Sequence, residues 1–187
     1  MSKGFSIIEL LLITAITATF SVVLILSFGF PPSGQTARYQ STSVVASDVR
    51  RVQSMALAGS GFQGSTVCGF GIHYVDKTTY LIYAGVLDGA VTRCQDANHN
   101  YQAGIDLTVE TKVLINPRME MRSTFLDFFF ESPDPKTYID NDPSLIDSLG
   151  EIRSAKITIQ LKNQQNCAQK TCVSVTIFAS GEIDLKQ

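Results

Sequence analysis

Residues 1–30 read MSKGFSIIELLLITAITATFSVVLILSFGF, and from Phe5 onward the only charged residue in this stretch is Glu9. Leu10 to Phe30 is a run of 21 residues without formal charge. As a helix rising about 1.5 Å per residue, it would span roughly 30 Å, the thickness of a bilayer's hydrocarbon core. Thr14, Thr17, Thr19, Ser21 and Ser27 fit such a helix, because hydroxyls can bond back to helix carbonyls. Lys3 precedes the run, so the positive-inside bias places Met1 in the cytoplasm and the rest of the chain outside. A removable secretory signal fits poorly. The charged region is a single lysine, the apolar run is long, and Phe28-Gly29-Phe30-Pro31-Pro32 offers no small-x-small cleavage site.

Glu9 is the anomaly, since a carboxylate near the end of a membrane helix is usually paired or functional. Cleavage between Gly4 and Phe5 would create an α-amino group four residues before it. That amine could neutralise Glu9 in its own or a neighbouring chain. In so apolar a setting the pair would act mainly as a register device, because desolvation cancels much of its attraction. The plainer alternative leaves Glu9 in the headgroup region.

The 187 residues suffice for one medium domain plus an anchor, and a net charge of -2 gives no overall basic field for nucleic acid. Four cysteines, Cys68, Cys94, Cys167 and Cys172, all follow the apolar run. An even count behind a membrane-directing segment points to an oxidising compartment and up to two disulfides. No C-x-x-C pair is present, which argues against a zinc ribbon.

Pro31-Pro32-Ser33-Gly34 should break or bend the helix. Helical spacing resumes over 35–58, where Val45, Val49, Val52 and Met55 or Ala56 form one apolar stripe and Arg38, Asp48, Arg50, Arg51 and Gln53 occupy much of the remainder. Arg50-Arg51 reads as a solvated face. Thr66–Val75 and Thr78–Val86 read as a hairpin turning at Asp76-Lys77. Further strands are expected at 112–115, 125–131, 155–161 and 173–179, with a short one at 182–185. Ser132–Leu149, rich in Pro, Asp and Ser, reads as a long exposed loop. The last two main strands flank Lys162–Cys172, where Cys167 and Cys172 could staple the turn. Cys68–Cys94 is then the preferred second pair, although four cysteines allow three pairings. The expected fold class is α+β: one long N-terminal helix, hydrophobic then amphipathic, its second half packed on an antiparallel sheet.

Lys3-Gly4-Phe5-Ser6-Ile7-Ile8-Glu9-Leu10-Leu11 resembles the processing motif of type IV pilins and type II secretion pseudopilins. The resemblance implies a pilin-like fold and a leader of residues 1–4, short for the family. It implies cleavage after Gly4 by a prepilin peptidase and methylation of the new N-terminal Phe5. Phe5 and Glu9 would serve filament assembly. The implied partners are the peptidase, other pilin or pseudopilin subunits and an inner-membrane platform protein, with no enzymatic activity of the chain's own. Segments 49–56, 94–100 and 175–183 resemble the H-type pseudopilins and related minor pilins more loosely.

One polar loop carries candidate chemistry. Asp96, Asn98 and Asn100 have the spacing that opens a calcium-binding EF-hand loop, with Gln102 and Asp106 following. The pattern then departs, with Tyr101 where glycine is needed and Leu107 in place of the bidentate glutamate; Asp106 or Glu110 would have to substitute. The alternative is an Asx-rich turn capping its own backbone. His73 and His99 belong to no nucleophile motif. A second reading makes the domain a ligand-binding module, for instance for DNA. It would need Arg38, Arg50, Arg51, Lys156, Lys162, Lys170 and Lys186 to cluster on the folded surface.

Overall fold

The computed structural model describes residues 7–29 (side chains through Val23), 34–59, 61–87, 89, 91–133, 136–164, 167 and 172–186. The chain forms two compact units, Met1–Ser33 and Gly34–Gln187. Helix α1 (Ile7–Gly29) belongs to the first. Among its described residues, the second holds α2 (Gly34–Leu57) and nine strands. These are β1 (Val67–Tyr74), β2 (Thr79–Val86), β3 (Leu107–Val113), β4 (Met119–Ser123), β5 (Asp127–Glu131), β6 (Thr137–Ile139), β7 (Ser154–Leu161), β8 (Val173–Phe178) and β9 (Ile183–Lys186).

The α+β class holds, with two corrections. Two helices of 23 and 24 residues replace the single long helix. Pro31 and Pro32 lie between them in sequence and lack the backbone donors a continuous helix needs. The single sheet becomes two antiparallel sheets, ordered β3-β2-β1-β5-β6 and β4-β7-β8-β9. Among the described residues, no helix is long and apolar enough to cross a membrane. The described side chains of α1 end at Val23, although its backbone continues as helix to Gly29.

Helix α2 packs against strands of both sheets and joins their inner faces into one core. Val45, Val49, Val52 and Ala56 are fully buried, as the three- and four-residue spacing requires. They meet Phe70, Ile72, Ile82, Phe128 and Phe130 from the first sheet and Ile157, Ile159, Val175 and Ile177 from the second. Arg38 and Asp48, on the polar remainder of the helix, are also buried. The Asp48 carboxylate accepts from Tyr80, and Arg38 donates from Nε to the Gly34 carbonyl at 3.0 Å.

The five-stranded sheet is buried on its other face too. Period-two alternation sends Phe128 and Phe130 into the main core and Phe129 to the opposite side. There Phe129 joins Cys68, Tyr83 and Tyr138 in a second, smaller core. Gly71 makes this face possible. It pairs with Tyr83 across one strand and Phe129 across the other, and a Cβ at Gly71 would lie 2.6 Å from the Tyr83 ring.

Strands β4 and β6 fall outside the expected set, and β6 lies within the segment read as an exposed loop. Thr137, Tyr138 and Ile139 are buried there, as the edge of the five-stranded sheet. A three-residue strand between proline-rich and Asp-rich stretches carries too little periodicity to be seen in sequence.

Candidate functional site

Gly4 and Phe5, the expected cleavage and methylation positions, lie outside the described residues. Glu9 sits in the first turn of α1 and is exposed. It lines a shallow notch of about 380 Å³ with Ile8, Leu12 and Ile13. Every described side chain of α1, from Ile7 to Val23, is exposed. Its hydroxyls bond back as expected: Thr14 to the Leu11 carbonyl at 2.9 Å, Thr17 to Ile13 at 3.0 Å and Ser21 to Thr17 at 2.8 Å. These bonds remove the polar cost of hydroxyls on an apolar helix.

The second unit carries a polar and aromatic site where residues 91–106 strap across the second core. The Cys68–Cys94 disulfide ties this strap to β1, with Cα atoms 5.2 Å apart. The other pair is Cys167–Cys172, five residues apart in the β7–β8 connection. Both preferred pairings are therefore present.

Three side chains of the sheet and its connections hold the strap further. Tyr83 donates its hydroxyl to the His99 carbonyl at 2.6 Å. Asp127 accepts from the Tyr101 backbone N–H at 3.1 Å and faces His73 Nδ1 at 2.9 Å. Asn141 Oδ1 accepts from the His99 backbone N–H at 2.9 Å and faces His99 Nδ1 at 3.2 Å. Because the backbone N–H can only donate, that Asn141 atom must be the oxygen. Nδ1 of His99 therefore donates to it. Nε2 is buried, and the Cys94 backbone is among the groups that act on the ring. The ring stacks on Tyr138 at 3.6 Å between centroids.

Burial pushes the His99 imidazole below its ordinary range, against the opposing pull of Asn141 and Glu131. Burial likewise pushes the Asp127 and Asp106 carboxyls up, against their backbone hydrogen bonds. Beside this cluster lies a polar cavity of about 780 Å³ lined by Arg93, Asp96, His99, Glu131, Lys136 and Tyr138 among others. Burial, followed by the hydrogen bond to Glu131, raises the Tyr138 phenol to about 12. His73 and Asp127 form an oriented imidazole–carboxylate pair. Among the described residues, no hydroxyl or thiol hydrogen-bonds to either imidazole ring.

The five candidate calcium ligands fall on the same strap, and the Asp106 and Asn98 oxygens are engaged with backbone N–H groups. Asp106 is buried and accepts from Gln102 N at 2.7 Å through Oδ2 and from Val86 N at 3.1 Å through Oδ1. Asn98 Oδ1 caps the Asn100 N–H at 3.0 Å, an Asx turn. Asn100 Oδ1 is buried without a partner, and Asp96 is exposed near Arg93 at 4.0 Å. Gln102 takes part through its backbone. Glu110, the possible substitute, faces Arg51 at 2.8 Å and Lys112 at 2.7 Å on β3. Among the described residues, no three His, Cys, Asp or Glu side chains are gathered to hold a metal ion. In this arrangement the Asp106 and Asn98 carboxylate and amide oxygens cap backbone N–H groups.

The cations invoked for DNA are variously engaged. Arg38 is buried, Arg51 is paired with Glu110, and Lys186 lies 4.0 Å from Asp184. Arg50, Lys156 and Lys162 are exposed, and Lys170 is outside the described residues. Sequence reasoning missed Asp127, Asn141 and Tyr138. Each acts through a register or turn partner distant in the chain, and no local motif marks them. Comparison with protein families, characterised proteins and solved structures finds no matching family, no matching protein and no matching structure.

Proposed function

We propose that this chain is a structural subunit of a pilus-like or secretion-type filament, anchored in the cytoplasmic membrane by α1 and processed after Gly4 by a prepilin peptidase. The observation that supports this most is α1 itself. Apart from Glu9 and hydroxyls that bond back to its own carbonyls, its described side chains are apolar, and large ones such as Ile7 and Phe20 stand 82% and 66% exposed. A helix of that kind belongs in lipid or among other helices. Its 23-residue backbone would span about 35 Å, enough for a bilayer's hydrocarbon core. Glu9 in the first turn suits the positive end of the helix dipole but is costly in hydrocarbon. The α-amino group freed by cleavage would answer that cost in a neighbouring copy. Helices would then pack side by side in contacts that do not close, extending a filament. Two disulfides in the second unit suit an oxidising compartment outside the membrane.

The test is mass spectrometry of the protein from membranes containing active peptidase. The expected N-terminus is Phe5, methylated; an intact Met1 would refute the reading. Glu9→Ala should leave membrane insertion intact and reduce filament incorporation.

A further inference from the structure

The proposed function makes no use of the polar cavity beside the strap, whose volume of about 780 Å³ falls within the range of small-molecule sites. Two segments supply most of its walls. Arg93, Gln95 and Asp96 come from the strap, while Glu131 ends β5 and Lys136 immediately precedes β6. Both segments are fastened to the same residue of β1. The disulfide to Cys68 holds the strap at Cys94, and Ser132 N donates to the Cys68 carbonyl at 2.8 Å. Glu131 N donates to the Lys136 carbonyl at 2.9 Å and closes the β5–β6 connection. The buried rings of His99 and Tyr138 complete the lining. Walls held in this way leave little to be ordered by whatever binds, which lowers the cost of binding.

The lining is polar but electrically balanced. Among the described residues that line the cavity, the cations Arg93 and Lys136 are matched by the carboxylates Asp96 and Glu131, and burial favours the neutral His99 ring. Arg93 and Lys136 only donate, the carboxylates only accept, and the Gln95 amide does both. Asn141, which also lines the cavity, gives its oxygen to the His99 N–H and keeps its NH2 as a further donor. An anionic ligand would meet Asp96 and Glu131, and a cationic one would meet Arg93 and Lys136. An apolar ligand would strip water from charged groups without replacing the lost hydrogen bonds. A neutral molecule rich in hydroxyls incurs none of these costs, because each hydroxyl both donates and accepts. Pro133 and Pro143 add apolar lining for its C–H groups.

We propose that this cavity is a binding site for a neutral saccharide, with Arg93, Gln95 and Asn141 donating to its hydroxyls and Asp96 and Glu131 accepting from them. The site lies wholly within the second unit, so it stands whether or not the chain is cut after Gly4 or assembles through α1.

The test is saturation-transfer NMR on the full-length protein in micelles of a detergent without a sugar headgroup. The probes are the methyl pyranosides of glucose, galactose, mannose and N-acetylglucosamine. Sialic acid, glucosamine and alanine serve as anionic, cationic and zwitterionic comparisons. Transfer is expected to at least one neutral pyranoside, and more strongly than to any of the comparisons. Arg93→Ala and Glu131→Gln should each weaken the affinity, read by titration, at least tenfold. Arg93 is exposed, and a glutamine oxygen at 131 can still accept from Tyr138, so both variants should melt as the wild type does. Lys156→Ala, at an exposed position on β7 of the other sheet, should bind as the wild type does. No transfer to any neutral pyranoside would overturn the proposal. So would preferential binding of sialic acid, glucosamine or alanine, or transfer that survives both cavity variants.

Discussion

Tyr80 on β2 donates its hydroxyl to the Asp48 carboxylate on α2 at 2.5 Å, inside the seam between helix and sheet. Burial first, then the hydrogen bond to Asp48, pushes the Tyr80 phenol far above its usual range, so it remains a donor at any working pH. Lys112 approaches the other Asp48 oxygen at 3.9 Å and links it to Glu110 and Arg51. Tyr80→Phe removes the donor and leaves a buried carboxylate oxygen short of a partner. The expected loss is about 1.5–3 kcal/mol, the range for hydrogen bonds to charged groups. Denaturant unfolding of Tyr80→Phe, Asp48→Asn and the double variant measures it. If the two single losses simply add, the pair is not coupled.

The two disulfides should differ in weight. Cys68–Cys94 closes 26 residues and Cys167–Cys172 closes five. Chain entropy assigns them about 3.5 and about 2 kcal/mol respectively. Replacing Cys68 and Cys94 together by Ala should therefore cost more, and should also raise amide exchange along 94–106. Replacing Cys167 and Cys172 should leave that strap protected. Equal costs, or a strap indifferent to the first pair, would show that its hydrogen bonds alone hold it.

The elements that were legible in sequence are those whose periodicity is local. Val45, Val49 and Val52 announce α2, and the β1–β2 hairpin is announced by β-branched and aromatic runs on either side of Asp76-Lys77. The Cys167–Cys172 staple followed from its place between two strands. The second core did not show. Phe128-Phe129-Phe130 reads as one apolar run, and only the pairing of β5 with β1 and β6 divides it between two faces. Asp127 and Asn141 hold a strap that is far away in sequence, so their roles exist only after the sheet has formed. The Asp96–Asp106 spacing was legible, but its meaning depended on which backbone N–H groups the oxygens would face.

His99 should make the strap sensitive to acid. Its folded pKa lies below the ordinary 6.5, with burial the largest cause. The unfolded chain therefore takes up a proton first as pH falls. Stability is fully present above about pH 6.5 and declines as pH drops toward the folded value. Asp106 and Asp127, raised by burial, act in the opposite sense: their contribution is present below the ordinary carboxylate value of 3.8 and is lost as pH rises through their folded values. The comparison that isolates the histidine is the melting temperature of wild type and His99→Gln between pH 7.5 and 5.5. The wild type should lose more on acidification. Parallel profiles would remove His99 as the cause.

Calcium removal should leave the strap unmoved. Both Asp106 oxygens accept backbone N–H groups, and Asn98 caps Asn100. A native-state site filled at 100 times its Kd would add about 2.7 kcal/mol. Melting with excess calcium and with chelator should therefore coincide. A stabilisation of that size would mean that the loop rearranges to bind the ion, and Asp106→Asn should then abolish it.

Gly71 is the position where a single methyl group should do the most damage. A Cβ there would lie 2.6 Å from the Phe128 carbonyl oxygen and 2.6 Å from the Tyr83 ring. The first is backbone of a paired strand, and the second belongs to a fully buried side chain whose hydroxyl holds the His99 carbonyl at 2.6 Å. Neither can yield cheaply, so Gly71→Ala should cost about 1–3 kcal/mol or more, the range for overpacking a filled core. Because Tyr83 must shift, the same variant should loosen the strap, raising amide exchange at residues 99–106 beyond what global destabilisation explains. Val113→Ala, at a site 64% exposed on β3, serves as the control and should stay within about 0.5 kcal/mol. A Gly71→Ala chain as stable as that control would mean that Tyr83 and Phe129 repack freely, and that the close approach of rings to sheet does not hold the strap.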